Sequence, residues 1–245
     1  MELSIILPVL NEEGNITIIL RSVQEVLRTL AISYEILVVD GGSKDRTVEL
    51  AQREGSTVRL IYQQKKGYGE ALRAGFQESM GDYVITLDGD LSHDPQLILT
   101  LWAERLTNDV VIGSRYVPGG TVRMPLWRLF LSKVLNIIFT FFLQIPVCDL
   151  SSGFRLYRSL VIRTLQFEST NFEALEEILI KAFLQGRRIR EVPMHFSPRK
   201  MGKSKVKLLE FAVSFTKAFL KMFWLRYFNK PEAPVKQPED VNASF

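Results

Sequence analysis

The chain has 245 residues, of which 47% are hydrophobic, 31 are basic, 27 are acidic and one is a cysteine, Cys148. This length and composition predict a single α/β domain with a substantial core, and they exclude an intramolecular disulfide and a cysteine-based metal cluster. Basic residues concentrate in the second half, which is therefore expected to face an anionic partner. The sequence lacks zinc-finger spacing, a recognition-helix pattern and an aromatic ribonucleoprotein signature, which argues against nucleic acid as that partner.

The first half alternates short apolar runs with amphipathic segments. Strands are predicted at 3–9, 34–39, 57–62, 82–87 and 109–113, and helices at 12–30, 44–54, 67–79 and 95–107. This alternation predicts a mostly parallel sheet with helices on both faces. Ligands bind such sheets beyond the carboxyl ends of the strands, where polar clusters occur at 8–12, 40–43 and 88–94. No basic region precedes the first apolar run, so it is predicted to be a strand and not a signal peptide, and the chain is expected to be cytosolic.

The second half follows a different pattern. It contains a Gly-rich loop, an apolar segment at 126–147, a polar turn at 149–153, two further helices, a strand at 189–196 and a last helix at 205–227. No stretch reaches the roughly 20 apolar residues that a membrane-spanning helix needs. Aromatic residues step by four along the last helix from Phe211 to Phe223, a stripe that fits core packing, a membrane interface or a partner helix. Residues 229–245 are predicted to be a disordered tail.

The most informative segment is an apolar run that begins at Tyr83 and ends in Asp88-Gly89-Asp90. Alternate side chains of an extended segment share a face, so the two carboxylates are expected to point at one object. Mg²⁺ and Mn²⁺ favour a few carboxylates together with substrate phosphates. The segment therefore predicts a metal site for a nucleotide diphosphate, and a solvated turn is the alternative interpretation.

Seven sequence motifs, one of which contains Asp88-Gly89-Asp90, occur in order along the chain. They are IILPVLNE at 5–12, VVDGGSKDRT at 38–47, KKGYGEALRAGF at 65–76, DGDLSHDP at 88–95, GSRYVPGG at 113–120, DLSSGFRLY at 149–157 and EVPMHFSPRKMGKSK at 191–205. With these strings the chain resembles the polyprenyl-phosphate glycosyltransferases of the dolichol-phosphate mannose synthase type, which are family-two glycosyltransferases of GT-A fold. The resemblance covers residues 1–228, with a nucleotide-binding half at 1–113 and an acceptor half at 114–228.

The resemblance implies a donor-nucleotide site and a metal site. The nucleotide site would consist of Pro8, Asn11, Glu12, Asp40, Lys66, Asp88, Gly89 and Asp90. Asp88 and Asp90 would hold Mg²⁺ or Mn²⁺ against the departing diphosphate, with Ser92 as a further ligand where many relatives carry Gln. Asp40 would bind the base or ribose, and helix capping near Ser43 is the alternative. His93 is expected to support the site and not to bind the metal.

The acceptor site is expected to need cations more than a base, because a lipid phosphate is already an anionic nucleophile. The resemblance implies a phosphate-binding set of Arg115, Arg128, Ser132, Arg199 and Lys205, of which Arg115 and Arg128 would act in catalysis with Asp88 and Asp90. Arg128 and Ser132 are four residues apart and share a helix face. Arg199 and Lys205 lie in a basic loop that would close as a lid, with Gly202 as its hinge. Glu177 would bind sugar hydroxyls or orient a basic residue.

The resemblance implies inverting transfer of a hexose from a nucleotide diphosphate sugar to dolichyl or undecaprenyl phosphate at the cytosolic face of a membrane. GDP-mannose is the favoured donor, and a UDP-sugar stays open. The apolar helices would contact the membrane surface, and a small membrane subunit is left open as a further partner. Two alternatives remain. A transferase acting on a saccharide hydroxyl would use a base and often a Q-x-x-R-W string, which is absent, and an inactive nucleotide-binding scaffold is permitted by Gly41 and Ser92.

Overall fold

The computed structural model describes residues 1–124, 126–197 and 208–228, without the side chains of 126–128, 131 and 208–214. In this part the strands are β1 (Leu3–Val9), β2 (Tyr34–Asp40), β3 (Val58–Tyr62), β4 (Tyr83–Thr86), β5 (Val110–Ser114), β6 (Thr121–Val122), β7 (Arg155–Arg158), β8 (Ile189–Pro193) and β9 (His195–Phe196). Seven of them form one sheet in the order β3-β2-β1-β4-β7-β5-β8, and β6 pairs with β9. Only β7 runs antiparallel to its neighbours in the described sheet, so the predicted mostly parallel sheet is confirmed.

Helices cover both faces of the sheet, as the alternating pattern predicts. The described α-helices are α1 (Ile16–Thr29), α2 (Thr47–Gln52), α3 (Tyr68–Glu78), α4 (Leu97–Ala103), α5 (Leu126–Leu143), α6 (Ser159–Thr164), α7 (Ala174–Leu184) and α8 (Leu208–Tyr227). Helices α1, α2 and α4 pack on one face, and α3 and α5 to α8 pack on the other. Each fully buried Leu or Ile contributes about 1.5–3 kcal/mol, so these two apolar layers supply the main stabilisation of the fold.

Strand β7 was not predicted from the sequence, which indicated a polar turn followed directly by helices. Leu156 pairs with Ile85 of β4 and with Val111 of β5. Leu156 packs into one apolar layer and Tyr157 into the other, so this short strand is covered on both faces. The predicted strand at 189–196 is likewise two strands, since β8 and β9 are separated by one residue.

Helices α5 and α8 pack against each other beside the sheet. The ring of Phe139 on α5 lies 4.7 Å from Phe215 and 5.0 Å from Phe219 of α8, measured between centroids. Core packing therefore accounts for the described part of the predicted aromatic stripe, and the Phe211 side chain lies outside the described part. The solvent side of the pair carries the exposed residues Phe130, Ile137, Phe141, Leu220 and Trp224. None of the helices in the described residues is long and apolar enough to cross a bilayer.

A buried ionic cluster ties α8 to the rest of the chain. Glu177 on α7 is fully buried, and its carboxylate contacts Lys181 at 2.8 Å and Lys221 of α8 at 3.2 Å. The same carboxylate accepts the backbone N–H groups of Glu168 and Ser169. Burial alone would raise the pKa of Glu177, but the hydrogen bonds from Lys181 and Ser169 outweigh it and lower the pKa to about 2. Of the roles that the sequence left open for Glu177, orienting basic residues is the one that these contacts display.

We expect Glu177→Gln to lower the free energy of unfolding by roughly 1–3 kcal/mol at neutral pH, because Lys181 and Lys221 lose their buried partner. The depressed pKa means that the wild-type stabilisation is present above about pH 4.5 and is lost as the pH falls towards 2. Urea unfolding from pH 3 to 7 measures both effects. Glu168→Gln removes the exposed partner of Lys221 and serves as the matched control, with an expected loss below about 1 kcal/mol. Equal losses in the two variants would mean that the buried carboxylate stabilises the fold no more than the exposed one.

Candidate active site

A cleft of about 400 Å³ opens beyond the carboxyl ends of β1, β2 and β4. Seven of the eight predicted donor-site residues line it, namely Pro8, Asn11, Glu12, Lys66, Asp88, Gly89 and Asp90. The cleft also contains residues that the sequence analysis did not assign to it, namely Lys44, Gln63, Tyr68, Asn171 and Phe172. Its position and its mixture of carboxylates, amides and lysines suit a phosphorylated ligand.

The rim of the cleft is held together by backbone and side-chain hydrogen bonds between the loops after β1 and β2. The Asn11 side chain accepts the Lys44 N–H at 2.7 Å, and the Asn11 N–H donates to the Ser43 hydroxyl at 2.8 Å. Asn11 adopts a φ of +51°, which asparagine tolerates better than most residues. The buried carboxylate of Asp40 accepts the N–H groups of Gly42 and Ser43. Asp40 thus supports the loop, and its contact with a base or ribose stays a prediction.

Asp88 and Asp90 lie on one wall of the cleft, in the loop after β4. The Asp88 side chain is 28% exposed, and one of its oxygens accepts the Tyr68 hydroxyl at 2.9 Å. Asp90 is nearly buried, and its Oδ1 accepts the Ser92 N–H at 3.0 Å. Burial and the nearby carboxylate raise the pKa of Tyr68 well above its ordinary value, so its hydroxyl keeps the proton that it donates.

Ser92 and His93 lie behind this wall. Both are buried, and the Ser92 hydroxyl is 3.5 Å from Nδ1 of His93. The imidazole packs between the rings of Phe154 and Phe196, and its Nδ1 is 3.9 Å from an oxygen of Asp88. Burial lowers the pKa of His93, so the ring is neutral at neutral pH. Ser92 is not among the described residues that line the cleft, and its role as a metal ligand stays a prediction.

The donor set at this wall determines which kind of metal it suits. In the described ranges no three His, Cys, Asp or Glu side chains converge as a metal-binding group. Two carboxylates are too few for a resident structural ion, but Mg²⁺ and Mn²⁺ commonly bind one or two carboxylates and complete their coordination with substrate phosphates. Asp88 and Asp90 therefore fit an ion that arrives with a nucleotide.

A second polar cluster surrounds Arg115, directly after β5. Its guanidinium makes a bidentate contact with the fully buried Asp149, at 2.7 and 2.6 Å, and donates to the Ser151 hydroxyl at 2.7 Å. Glu191 of β8 accepts the N–H groups of Cys148 and Asp149, which fixes the backbone that carries the Asp149 carboxylate. The structure therefore shows Arg115 organising the loop that precedes β7. Its contact with an acceptor phosphate stays a prediction.

Helix α5 is anchored to the same loop. The Tyr116 hydroxyl donates to the Ser132 hydroxyl at 2.8 Å, and Asn136 accepts the Leu150 N–H at 2.8 Å. Ser132 thus lies next to the residue that follows Arg115. Arg128 belongs to the first turn of α5, but its side chain lies outside the described part, as do Arg199, Gly202 and Lys205 entirely.

A buried carboxyl group lies close to this region, in the first turn of α7. Glu176 is only 2% exposed, and one of its oxygens has no hydrogen-bond partner within the described part of the chain. Burial raises the pKa of Glu176 to about 8, and the nearby Arg155 compensates only in part. The folded chain therefore holds a proton on Glu176 at neutral pH, whereas the unfolded chain does not.

We expect Glu176→Gln to become more stable relative to the wild type as the pH rises. Because the pKa of Glu176 is raised to about 8, the free energy of unfolding of the wild type falls as the pH rises from about 4.5 to 8. In this window the unfolded chain has lost the Glu176 proton, and folding must either take up that proton or bury the charge. Gln stays neutral throughout that window. Urea unfolding between pH 5 and 9 tests the difference, with Glu173→Gln in the preceding turn as the matched control. Parallel pH profiles for wild type and Glu176→Gln would refute the raised pKa.

Sequence comparison finds relatives that are 33–37% identical to this chain. Dolichol-phosphate mannosyltransferase of Pyrococcus furiosus is 37% identical over 217 residues, which are 84% of this chain and 60% of that protein. Polyprenol monophosphomannose synthase of Mycolicibacterium smegmatis is 34% identical over 215 residues, 82% of this chain and 80% of that protein. Undecaprenyl-phosphate 4-deoxy-4-formamido-L-arabinose transferase of Pseudomonas paraeruginosa is 33% identical over 66% of this chain and 48% of that protein. The chain thus spans less than two thirds of the first and third relatives.

Solved structures agree on the fold. Glucosyl-3-phosphoglycerate synthase from Mycobacterium tuberculosis, in complex with Mn²⁺, UDP and glucosyl-3-phosphoglycerate, matches 92% of this chain with a TM-score of 0.72 at 21% identity, and the match covers 79% of that chain. The same enzyme with Mg²⁺ and UDP gives a TM-score of 0.72 over 98% of this chain and 85% of that one. This likeness confirms the predicted GT-A fold. Since the profile described as Glycosyl transferase family 2 also matches residues 4–165, the chain belongs to glycosyl transferase family 2.

Proposed function

We propose that this protein transfers one hexose, with inversion, from a nucleotide diphosphate sugar to a polyprenyl phosphate, with GDP-mannose as the favoured donor and a UDP-sugar as the second candidate. The observation that carries the proposal is the joining of two clusters by the loop at 149–153. Ser151 of this loop bonds Arg115, and Gly153 lies so close to Asp88 that an added Cβ would be 3.3 Å from its carboxylate. The carboxylate wall formed by Asp88 and Asp90, which would face the donor, thus adjoins the Arg115 cluster, which would bind an anionic acceptor.

The chemistry divides between these two clusters. Asp88 and Asp90 would hold a divalent ion, which neutralises charge on the leaving diphosphate when bound. Pro8, Asn11, Glu12 and Lys66 line the cleft in which the nucleotide would bind. An oxygen of the acceptor phosphate attacks the anomeric carbon, and the bond from that carbon to the diphosphate oxygen breaks. Arg115 and Arg128 bind the acceptor phosphate, and no proton needs to be removed because the nucleophile is already an anion.

The exposed apolar side of α5 and α8 supports a lipid acceptor. Phe141 is 73% exposed and Trp224 is 55% exposed, and both lie beyond the aromatic contacts that join the two helices. Such a face on helices that do not cross the membrane fits an interfacial position, with aromatic rings at the headgroup level. We therefore propose that the protein binds a membrane surface, and the family resemblance favours the cytosolic face. A small membrane subunit is the other occupant that this face would suit.

A donor screen tests the proposed reaction. Purified protein is incubated with Mn²⁺ or Mg²⁺ and with GDP-mannose or UDP-glucose, with and without a polyprenyl phosphate, and released nucleotide and glycolipid are measured. We expect nucleotide release to require the lipid and to fall by at least about 100-fold in Asp90→Asn, because a charge next to the diphosphate is lost. Asp94→Asn, an exposed aspartate of the same loop, is the matched control and should retain activity. Release at the same rate without lipid would refute a polyprenyl-phosphate acceptor and favour a hydroxyl acceptor or hydrolysis.

Binding to vesicles tests the membrane surface separately. We expect the double variant Phe141→Ser, Trp224→Ser to partition at least tenfold less onto vesicles containing anionic lipid, since each buried aromatic ring contributes about 1.5–3 kcal/mol. The control is Met80→Ser, Leu106→Ser, which changes two exposed apolar residues elsewhere on the fold. Cosedimentation with vesicles gives the partition, and an equal loss in both double variants would contradict a specific lipid-facing surface.

A further inference from the structure

Tyr68 lies between the carboxylate wall and the acceptor half of the chain. Its hydroxyl donates to Oδ1 of Asp88 at 2.9 Å, and its ring stacks on Phe172 with centroids 4.6 Å apart and planes inclined by 18°. Both aromatic residues line the cleft. An offset stack of this kind is worth about 0.5–1.5 kcal/mol beyond the area it buries. The ring is therefore held in place independently of the hydrogen bond that its hydroxyl makes.

The glycines on either side of Tyr68 are required for this position. Gly67 has a φ of +128°, and a Cβ there would lie 2.1 Å from the carbonyl oxygen of Thr170. A Cβ on Gly69 would lie 2.5 Å from the carbonyl oxygen of Ser169, and the Gly69 N–H donates to Thr170 at 2.8 Å. Any larger residue would push the two backbones apart. The Gly-Tyr-Gly sequence thus seats the start of α3 directly on the segment that carries Phe172.

Gly153 lies directly against the hydroxyl of Tyr68. A Cβ built on Gly153 would lie 2.8 Å from the Tyr68 oxygen and 3.3 and 3.4 Å from the two carboxylate oxygens of Asp88. The Gly153 carbonyl accepts the Thr86 hydroxyl at 2.6 Å, which fixes the height of this loop above β4. The Tyr68 hydroxyl and the Asp88 carboxylate therefore meet directly beside the Gly153 backbone.

We propose that Tyr68 is a positioning residue for the metal-binding carboxylate of Asp88. This inference rests on the proposed function, in which Asp88 and Asp90 hold a divalent ion at the diphosphate. A hydroxyl that binds one oxygen of a carboxylate fixes the rotation of the whole group, and the loss of such a partner typically lowers metal affinity by about 10–100-fold. The hydroxyl of Tyr68 contacts the Asp88 carboxylate, whereas its ring stacks on Phe172. The expected loss of metal affinity therefore depends on the hydroxyl.

The contacts that position Tyr68 also connect the carboxylate wall to α8. Phe172 comes shortly after Glu168 and Ser169 in the chain. The backbone N–H groups of these two residues donate to the Glu177 carboxylate. Lys221 of α8 contacts the same carboxylate. The segment that orients Tyr68 is therefore fixed by residues of the acceptor half.

The test compares Tyr68→Phe with Tyr83→Phe, which deletes the same hydroxyl from a ring that packs on Trp102 away from the cleft. Mn²⁺ affinity is measured by electron paramagnetic resonance in the presence of UDP and, separately, of GDP. We expect the Kd for Mn²⁺ to rise about 10–100-fold in Tyr68→Phe and to stay unchanged in Tyr83→Phe. Nucleotide binding without metal should change less than about twofold in both variants, because the stacked ring remains. In the transfer assay the Mn²⁺ concentration for half-maximal rate should rise while kcat at saturating Mn²⁺ is preserved.

A second variant separates the hydroxyl from the stack. Phe172→Leu keeps the Tyr68 hydroxyl but removes the aromatic contact, and we expect a smaller rise in the Kd for Mn²⁺. A lowered Tm in Tyr68→Phe with an unchanged Kd for Mn²⁺ would overturn the inference and leave Tyr68 with a purely structural role. If the wild type itself bound no Mn²⁺ with either nucleotide, both the metal-dependent function and the inference would fail. If the wild type bound Mn²⁺ and Tyr68→Phe bound it equally, only the inference would fail.

Discussion

Strand β7 runs antiparallel between β4 and β5, and this single reversal determines where the two halves of the chain meet. Because parallel strands end at the same edge of a sheet, the loops after β1, β2 and β4 collect there. A reversed strand begins at that edge, so the loop at 149–153 joins them. Gly153 then lies against Asp88, and Ser151 lies against Arg115. The direction of one short strand therefore makes the carboxylate wall and the Arg115 cluster neighbours.

Buried charged side chains fix the loop that joins the two clusters. Asp149 is fully buried and receives the Arg115 fork, while Arg155, also fully buried, donates to the backbone carbonyls of Leu150 and Leu175. Removing one member of a buried pair typically costs about 3–5 kcal/mol, because the other charge is left uncompensated. These contacts hold the loop in one conformation, and their net contribution to the free energy of unfolding is small because burying charges is costly. A fixed loop suits a site that must align two phosphate-bearing substrates.

The sequence predicted the features that depend on local pattern and missed those that depend on distant contacts. Apolar runs and helical periodicity gave the strands and helices of the first half, and the order of the strings gave the donor cleft. β7 has only four residues and an arginine at each end, so no alternation revealed it. The Tyr68 contact joins residues 20 positions apart, and the Arg115 to Asp149 contact spans 34. Helical spacing placed Phe215 and Phe219 on one face but did not identify α5 as their partner.

Three buried titratable groups of the fold are poorly placed to act as a catalytic base. His93 is sealed between two aromatic rings, and burial lowers its pKa, so it is not placed to take a proton from a substrate. Glu177 is held ionised at a pKa of about 2 by Lys181 and Ser169, which makes it a weak base. Glu176, with a pKa of about 8, would be a stronger base, but it is buried and is not among the described residues that line the cleft. A sugar hydroxyl would need a base, which none of these three groups is placed to supply, whereas a phosphate monoester needs only cations to bind it.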